Sequence, residues 1–111
     1  MTNEEILESK SPEEICRDIC AIFDVTFEEV KERHPYRKML CSNVRGLCMH
    51  ILKIRKGYSI NKTGALFGVK GRSADRARSR MAWSIDHNLE CMRMYNLVKV
   101  KLDYLNLWQE L

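Results

Sequence analysis

Arginines recur along one stretch of this sequence at a spacing that suits an α-helix. Six of the polar residues of this stretch are Arg72, Ser73, Asp75, Arg76, Ser79 and Arg80. A guanidinium group can clamp a phosphate or make two parallel hydrogen bonds to guanine, and a carboxylate can accept a hydrogen bond from cytosine. These residue types therefore predict contacts with a nucleic acid rather than a chemical reaction.

Small apolar residues fall on the other side of the same helix. At about 100° per residue the inward stripe consists of Ala74, Ala77, Met81 and Ile85. Trp83 falls near the opposite pole, a turn or two beyond the expected contacts, and we expect it to pack on the last helix. A helix with this pattern suits docking in a DNA groove.

Catalysis is disfavoured because the necessary groups are sparse. Metal-dependent nucleases need converging carboxylates, and residues 31–80 contain only Glu32 and Asp75 as acids. Ser79 and Tyr58 are candidate nucleophiles, but neither has a recognisable base and orienting group. No Gly-x-x-x-x-Gly-Lys-[Ser/Thr] segment occurs, so we expect no nucleotide binding. We predict that the protein is not an enzyme.

Cysteine and histidine are frequent enough to raise the question of a metal site. The set is Cys16, Cys20, Cys41, Cys48, Cys91, His34, His50 and His87, and it contains no Cys-x-x-Cys pair. Closed zinc sites use tighter ligand spacing, so we expect reduced cysteines that serve as small core residues. No metal and no cofactor are predicted.

Charge is segregated along the chain. Residues 1–30 contain two basic and nine acidic side chains, a net charge of −7. Residues 31–80 contain fourteen basic and two acidic side chains, a net charge of +12, and residues 81–111 contain three and four, a net charge of −1. A stretch so dominated by one sign creates a strong positive potential and predicts a polyanionic partner.

Length and composition favour one small helical protein. The chain has 111 residues, 45% of them hydrophobic, with two prolines and five glycines. No apolar run approaches the length of a membrane span, and the acidic first residues do not resemble a signal peptide. We therefore expect a cytoplasmic, nucleoid-associated protein with no membrane partner.

The pattern of caps and apolar residues predicts an all-α fold, a compact bundle of about six helices containing a helix-turn-helix. We expect a flexible segment over residues 1–10 and a single domain over 11–111. The helix-turn-helix is predicted at 59–80, with a recognition helix starting near Ser73. An amphipathic helix is predicted at 88–109.

Individual helix boundaries follow from short local signals. Capping boxes begin helices at Ser11 and Thr26, Ser59 caps another, and Gly57 ends the helix that starts near Met39. The buried face of that helix is predicted to be Val44, Leu47, Cys48, Ile51 and Leu52. In the last helix we expect core contacts from Leu89, Met92, Leu97, Leu105 and Trp108.

Two segments of the chain resemble a known DNA-binding family. Residues 45–53 form an arginine-led apolar helix, and the second segment has the pattern Ser59-x-x-x-x-Gly64-x-x-Phe67-Gly68. Together they resemble the C-terminal DNA-binding domain of the bacterial replication initiator DnaA. The fold that this resemblance implies is a helical bundle with a helix-turn-helix, also of the type found in the Trp repressor.

The resemblance implies a role for several residues. In that family the recognition helix reads a duplex in the major groove, and an arginine from a basic loop enters the minor groove. Here the basic loop is 31–38, which contains Arg37 and Lys38. Arg45 would lie near the DNA backbone, and Ser59 and Lys62 would face phosphate. The DNA-contacting set is then Arg37, Lys38, Arg45, Ser59, Lys62, Lys70, Arg72, Ser73, Asp75, Arg76, Ser79 and Arg80.

This sequence also departs from the family pattern. Ser73, Ala74, Asp75 and Arg76 occupy the positions of the family's base-reading residues, so a different target site is expected. The most direct interpretation is a sequence-specific binder of double-stranded DNA, a replication or transcription regulator of phage or mobile-element type. The alternative is an adaptor whose helical scaffold binds RNA or another protein. The apolar surplus of the last helix also allows a homodimer through it.

Overall fold

The structure, a computed structural model, describes residues 2–32 and 37–105. Within these residues all regular structure is helical, which confirms the predicted all-α class. The helices are α1 Asn3–Ser9, α2 Pro12–Ile22, α3 Phe27–Glu32, α4 Lys38–Ile51, α5 Ile60–Leu66, α6 Gly71–His87 and α7 Leu89–Lys101. A π-helical segment, Leu52–Lys56, extends α4, and a 3₁₀ turn, Asp103–Leu105, follows α7.

Helix α1 lies in the segment that we expected to be flexible. Thr2 and Glu5 form a capping box at its start, and Leu7 is buried. The helix contacts the 3₁₀ turn near the end of the chain, and the Lys56 ammonium donates to the backbone carbonyl of Glu8 at 3.3 Å. The sequence prediction missed this helix, although Thr2 and Glu5, three residues apart, are a recognisable capping-box pair.

The predicted starts of α2 and α3 are confirmed. The Ser11 hydroxyl accepts from the Glu14 amide at 3.1 Å, and the Glu14 carboxylate accepts from the Ser11 amide at 3.1 Å. Thr26 forms the same pair of contacts with Glu29 ahead of α3. Each box satisfies amides that a helix leaves without a partner at its first turn.

Helix α4 is the central element of the core. It packs against α2, α3 and α6, and every residue of its predicted inward face is buried. Gly57 has φ +60° and ends the π-helical extension in a left-handed conformation, as the sequence predicted. Because α4 is held by its contacts with α2 and α3, it gives α6 a fixed surface to pack against.

The five cysteines are free thiols and all are buried, which agrees with their predicted role as core residues. Cys16, Cys20 and Cys48 lie where α2 meets α4, and burial raises the pKa of the Cys48 thiol above its ordinary value. Among residues 2–32 and 37–105 no helix is both long and apolar enough to cross a bilayer.

Helix α7 differs from the predicted amphipathic helix over 88–109. It begins at Leu89 after an Asn88 cap, as expected, but it ends at Lys101 because Leu102 leaves helical geometry with φ −117° and ψ 81°. Its buried residues are Cys91, Met94 and Val98. Leu89, Met92 and Leu97 were predicted core residues, and this was wrong since all three are exposed. Leu105 is buried as predicted, and Trp108 lies outside the described residues.

Candidate nucleic-acid interface

Helix α6 has one face packed on the core. Ala74 is fully buried and Met81 is 4% exposed, while Ala77 and Ile85 are half-buried against the core. The helix approaches α4 closely at Gly46, where an added Cβ would lie 3.1 Å from the Cβ of Met81. The predicted inward stripe is therefore confirmed, and the opposite face of α6 is directed to solvent.

The outward face of α6 carries the arginines that the sequence singled out. Arg72, Arg76 and Arg80 are exposed, and so are Ser73 and Ser79. None of the three guanidinium groups forms a hydrogen bond or an ion pair with another described residue of the chain. Because a solvated helix face normally mixes both signs of charge, three unpaired guanidinium groups on successive turns favour an anionic ligand.

Asp75 is engaged within the helix. Its carboxylate accepts a hydrogen bond from the Arg78 guanidinium at 2.6 Å, and the Arg78 side chain is only 16% exposed. The same guanidinium lies 3.3 Å from the Ser79 hydroxyl. Sequence reasoning did not single out Arg78, although its spacing of three residues from Asp75 is a recognisable helical pair.

Helix α5 supports the start of α6. The Ser59 hydroxyl caps α5 by accepting from the Lys62 amide at 3.2 Å, so the predicted cap is confirmed. At Gly64 an added Cβ would lie 2.6 Å from the carbonyl oxygen of Val69, which means that the turn of residues 67–70 lies directly against α5. Phe67 anchors this turn, with its ring centroid 5.4 Å from that of Phe27 in α3.

Further cations surround this pair of helices. Lys62 is exposed on α5 and Lys70 is exposed at the N-terminal cap of α6, where it makes no side-chain capping bond. Beside them lies a half-open cleft of about 400 Å³. The cleft is lined by Lys53, Gly57, Tyr58, Ser59, Ile60, Asp75 and Arg78. The first turn of α5 and the second turn of α6 therefore share one surface.

The basic loop predicted at 31–38 falls only partly within the described residues. Lys31 and Glu32 end α3, Lys38 begins α4 and is exposed, and residues 33–36 lie outside the described residues. The Arg37 guanidinium donates to the Asp24 carbonyl at 2.8 Å and to the Glu29 carboxylate at 3.3 Å. Arg37 is thus bonded to the α2–α3 region, and a contact with DNA would have to compete with these bonds.

Two other residues that the sequence singled out are Arg45 and Trp83. Arg45 is half-buried in α4. Trp83 was expected to pack on the last helix, and this was wrong: its indole is 61% exposed and stacks on His87 of the same helix, with ring centroids 4.2 Å apart. The indole is exposed because Trp83 lies on the face of α6 opposite Ala74 and Met81, which are buried in the core.

Two further expectations concern metal ions and self-association. Among the described residues no group of three histidine, cysteine or acidic side chains is placed to hold a metal ion. The exposed apolar residues of α7 are Leu89, Met92, Leu97 and Val100. A homodimer formed through these exposed residues of α7 stays a prediction.

No family model, curated protein or solved structure matches this chain.

Proposed function

We propose that this protein binds double-stranded DNA in a sequence-specific manner, with the first half of α6 in the major groove. The observation that carries the proposal is the row of exposed guanidinium groups of Arg72, Arg76 and Arg80, which pair with none of the described residues. They lie on a helix whose other face is packed on the core. A rigid helix can hold guanidinium groups at base edges, where arginine distinguishes guanine from other bases.

The surroundings of α6 support the same proposal. The turn of residues 67–70 lies against Gly64 of α5 and so places α5 beside the start of α6, which is the relation that helix-turn-helix proteins use to place a recognition helix. Lys62 and Lys70 supply exposed ammonium groups for the phosphates on either side of the groove. The helical order of a DnaA-like DNA-binding domain fits this arrangement, and a regulator of replication or transcription is the role we propose for it.

The proposal is tested by comparing two alanine variants on a selected duplex and on unrelated duplexes. Arg76→Ala is expected to weaken the selected site by about fivefold to a hundredfold and to relax the base preference, because one bidentate base contact discriminates by roughly 1–3 kcal/mol. Lys62→Ala is expected to weaken every duplex alike, since a phosphate contact carries no sequence information.

Arg93→Ala is the matched control, because Arg93 is exposed on α7 outside the proposed interface. It should leave both affinity and preference unchanged. The same titration with single-stranded DNA and with RNA addresses the adaptor alternative. Binding of RNA without any binding of duplex DNA at low salt would contradict the proposal and favour that alternative.

A further inference from the structure

Trp83 and His87 form an exposed aromatic pair in the second half of α6. Their rings are stacked, with centroids 4.2 Å apart and planes 7° from parallel. His87 Nδ1 lies 2.8 Å from the backbone carbonyl oxygen of Trp83, and this hydrogen bond fixes the imidazole in place. The indole is 61% exposed. The pair is therefore a held aromatic surface, with the imidazole stacked on the indole and 61% of the Trp83 surface still exposed.

The aromatic pair continues the row of arginines. At about 100° per residue, Trp83 and His87 lie within about 20° of Arg76 around the helix, and Arg72 and Arg80 lie within about 40°. All five side chains are exposed. We call this set, Arg72, Arg76, Arg80, Trp83 and His87, the outer stripe of α6. The stripe itself contains no acidic residue, and the exposed acids of α6, Asp75 and Asp86, both lie to one side of it.

The distance along the helix decides what kind of base could reach the indole. Trp83 lies seven residues after Arg76, about 10 Å along the axis, and the major groove is about 12 Å wide. With Arg72 and Arg76 at base edges, the indole lies at the margin of the groove. Bases paired within a duplex present only their edges there, whereas an unpaired base exposes its whole face for stacking.

We propose that the Trp83–His87 pair is a stacking platform for an unpaired DNA base next to the duplex that the arginines hold. The preferred ligand is then a duplex with a single-stranded extension or junction. This inference rests on the proposed function, because the duplex must first be held by Arg72 and Arg76. Stacking on an aromatic side chain is tolerant of sequence, so the platform would recognise the unpaired state rather than a particular base.

The experiment titrates the full chain with one duplex in three forms. The first is blunt. The second carries a short single-stranded extension, placed on each strand in turn, and the third carries the same extension made abasic. The base-bearing extension is expected to raise affinity by about fivefold to a hundredfold, the range that corresponds to stacking of one base. The abasic extension should give no gain. In a Trp108→Phe background, indole fluorescence should be quenched only by the base-bearing extension.

Substitutions distinguish the platform from a general effect. Trp83→Ala should remove the gain and leave blunt-duplex affinity within about twofold, while Trp83→Phe should keep most of the gain since a phenyl ring also stacks. Val100→Ala is the control, because Val100 is an exposed apolar residue on α7, and it should change neither value. Circular dichroism checks that each variant is folded.

Several outcomes would overturn the platform. They are equal affinity for blunt and extended duplexes, an equal gain from the abasic extension, and a gain that survives Trp83→Ala. Reduced self-association of Trp83→Ala with an unchanged gain would assign the indole to a protein contact instead. Binding of the blunt duplex without any gain overturns the platform alone. Absence of binding to all three forms overturns the proposed function and the platform with it.

Discussion

At the scale of single residues, Gly64 controls how closely α5 approaches the turn. An added Cβ would lie 2.6 Å from the Val69 carbonyl oxygen and 3.2 Å from the Gly71 amide nitrogen, both backbone atoms. The Val69 amide also donates to the Gly64 carbonyl at 2.8 Å. The turn therefore cannot move away from a new methyl group without losing this hydrogen bond.

Gly64→Ala is expected to destabilise the protein. Helix propensity alone would favour alanine by roughly 1 kcal/mol, but forcing a methyl group into a packed contact costs about 1–3 kcal/mol. Because the clash at 2.6 Å is with backbone, we expect a steric cost near the upper end of that range, so the free energy of unfolding should fall by about 2 kcal/mol. Urea denaturation followed by circular dichroism measures this change.

Gly71→Ala is the matched control for that prediction. Its added Cβ would meet the side-chain oxygen of Asn61, an exposed residue that can rotate away. We expect a change within about 0.5 kcal/mol, typical of an exposed site. A Gly64→Ala variant as stable as Gly71→Ala would contradict the close contact between α5 and the turn.

Local signals at single residues predicted some of the candidate site and missed the rest. The cap at Ser59 and the inward positions of Ala74 and Met81 follow from near neighbours in sequence, and the structure confirms them. Helical periodicity also places Trp83 on the face of α6 opposite Ala74, so its exposure follows from the sequence, and the expected packing on the last helix was wrong. The bonds of Arg37 to the α2–α3 region join groups eight or more residues apart, which periodicity does not detect.

At the scale of secondary-structure elements, the carboxylate of Asp18 links the segment before α2 to the 3₁₀ turn after α7. Asp18 in α2 accepts from the Tyr104 hydroxyl at 2.6 Å and from the Lys10 ammonium at 2.7 Å. The Lys10 ammonium also lies 5.0 Å from the centroid of the Tyr104 ring. Burial and the hydrogen bond to Asp18 raise the pKa of Tyr104 well above its ordinary value. The link therefore depends on a protonated tyrosine.

We predict that this link makes the protein less stable at alkaline pH. An unfolded tyrosine ionises near pH 10, whereas Tyr104 in the folded protein keeps its proton to higher pH. Above about pH 10 the unfolded state binds fewer protons, so the free energy of unfolding falls by up to about 1.4 kcal/mol per pH unit from this group. Below that pH its stabilising effect is complete.

Tyr104→Phe tests the prediction by removing the hydroxyl. At pH 7 the variant should lose about 1–2 kcal/mol, because the hydrogen bond to a charged acceptor is lost. Its free energy of unfolding should then fall less steeply between pH 9 and about pH 11 than that of the unmodified protein. Urea denaturation at several pH values gives both curves, and parallel curves would contradict a role for Tyr104.

The starts of α2 and α3 were predictable from sequence, and the register of the last helix was not. A capping box involves residues only three positions apart, so Ser11 and Thr26 mark the starts of α2 and α3 in the sequence itself. In α7 apolar residues occur on more than one face, and the choice between Leu97 and Val98 for the core depends on how α7 packs against α2 and α6. Periodicity cannot decide between two apolar faces when the partner surfaces are unknown.

At the scale of the whole molecule, the acidic and basic parts of the chain have different surroundings. In the acidic segment four carboxylates, Glu13, Asp18, Glu28 and Glu29, form ion pairs with Arg17, Lys10 or Arg37. Among the described residues, the exposed lysines and arginines of α5 and α6 form no ion pair. The half-buried Arg78 is the one that pairs, with Asp75. The local pairing of the acids weakens their repulsion of a polyanion, and the cations of α5 and α6 stay available to it.

The salt dependence of duplex binding follows from this distribution. Each phosphate neutralised by a lysine or arginine releases counterions and contributes about −0.9 to the slope of log K against log salt concentration. We therefore expect Lys70→Ala to make the slope shallower by about 0.9 and Arg93→Ala, on α7, to leave it unchanged. Measuring affinity for one duplex from low to moderate salt gives the slope for each protein.

If Lys70→Ala lowered the affinity at every salt concentration and kept the slope, Lys70 would stabilise the turn rather than contact phosphate. Because Lys70 precedes α6 at its exposed N-terminal cap, a loss of slope would place the positive end of that helix at the DNA backbone.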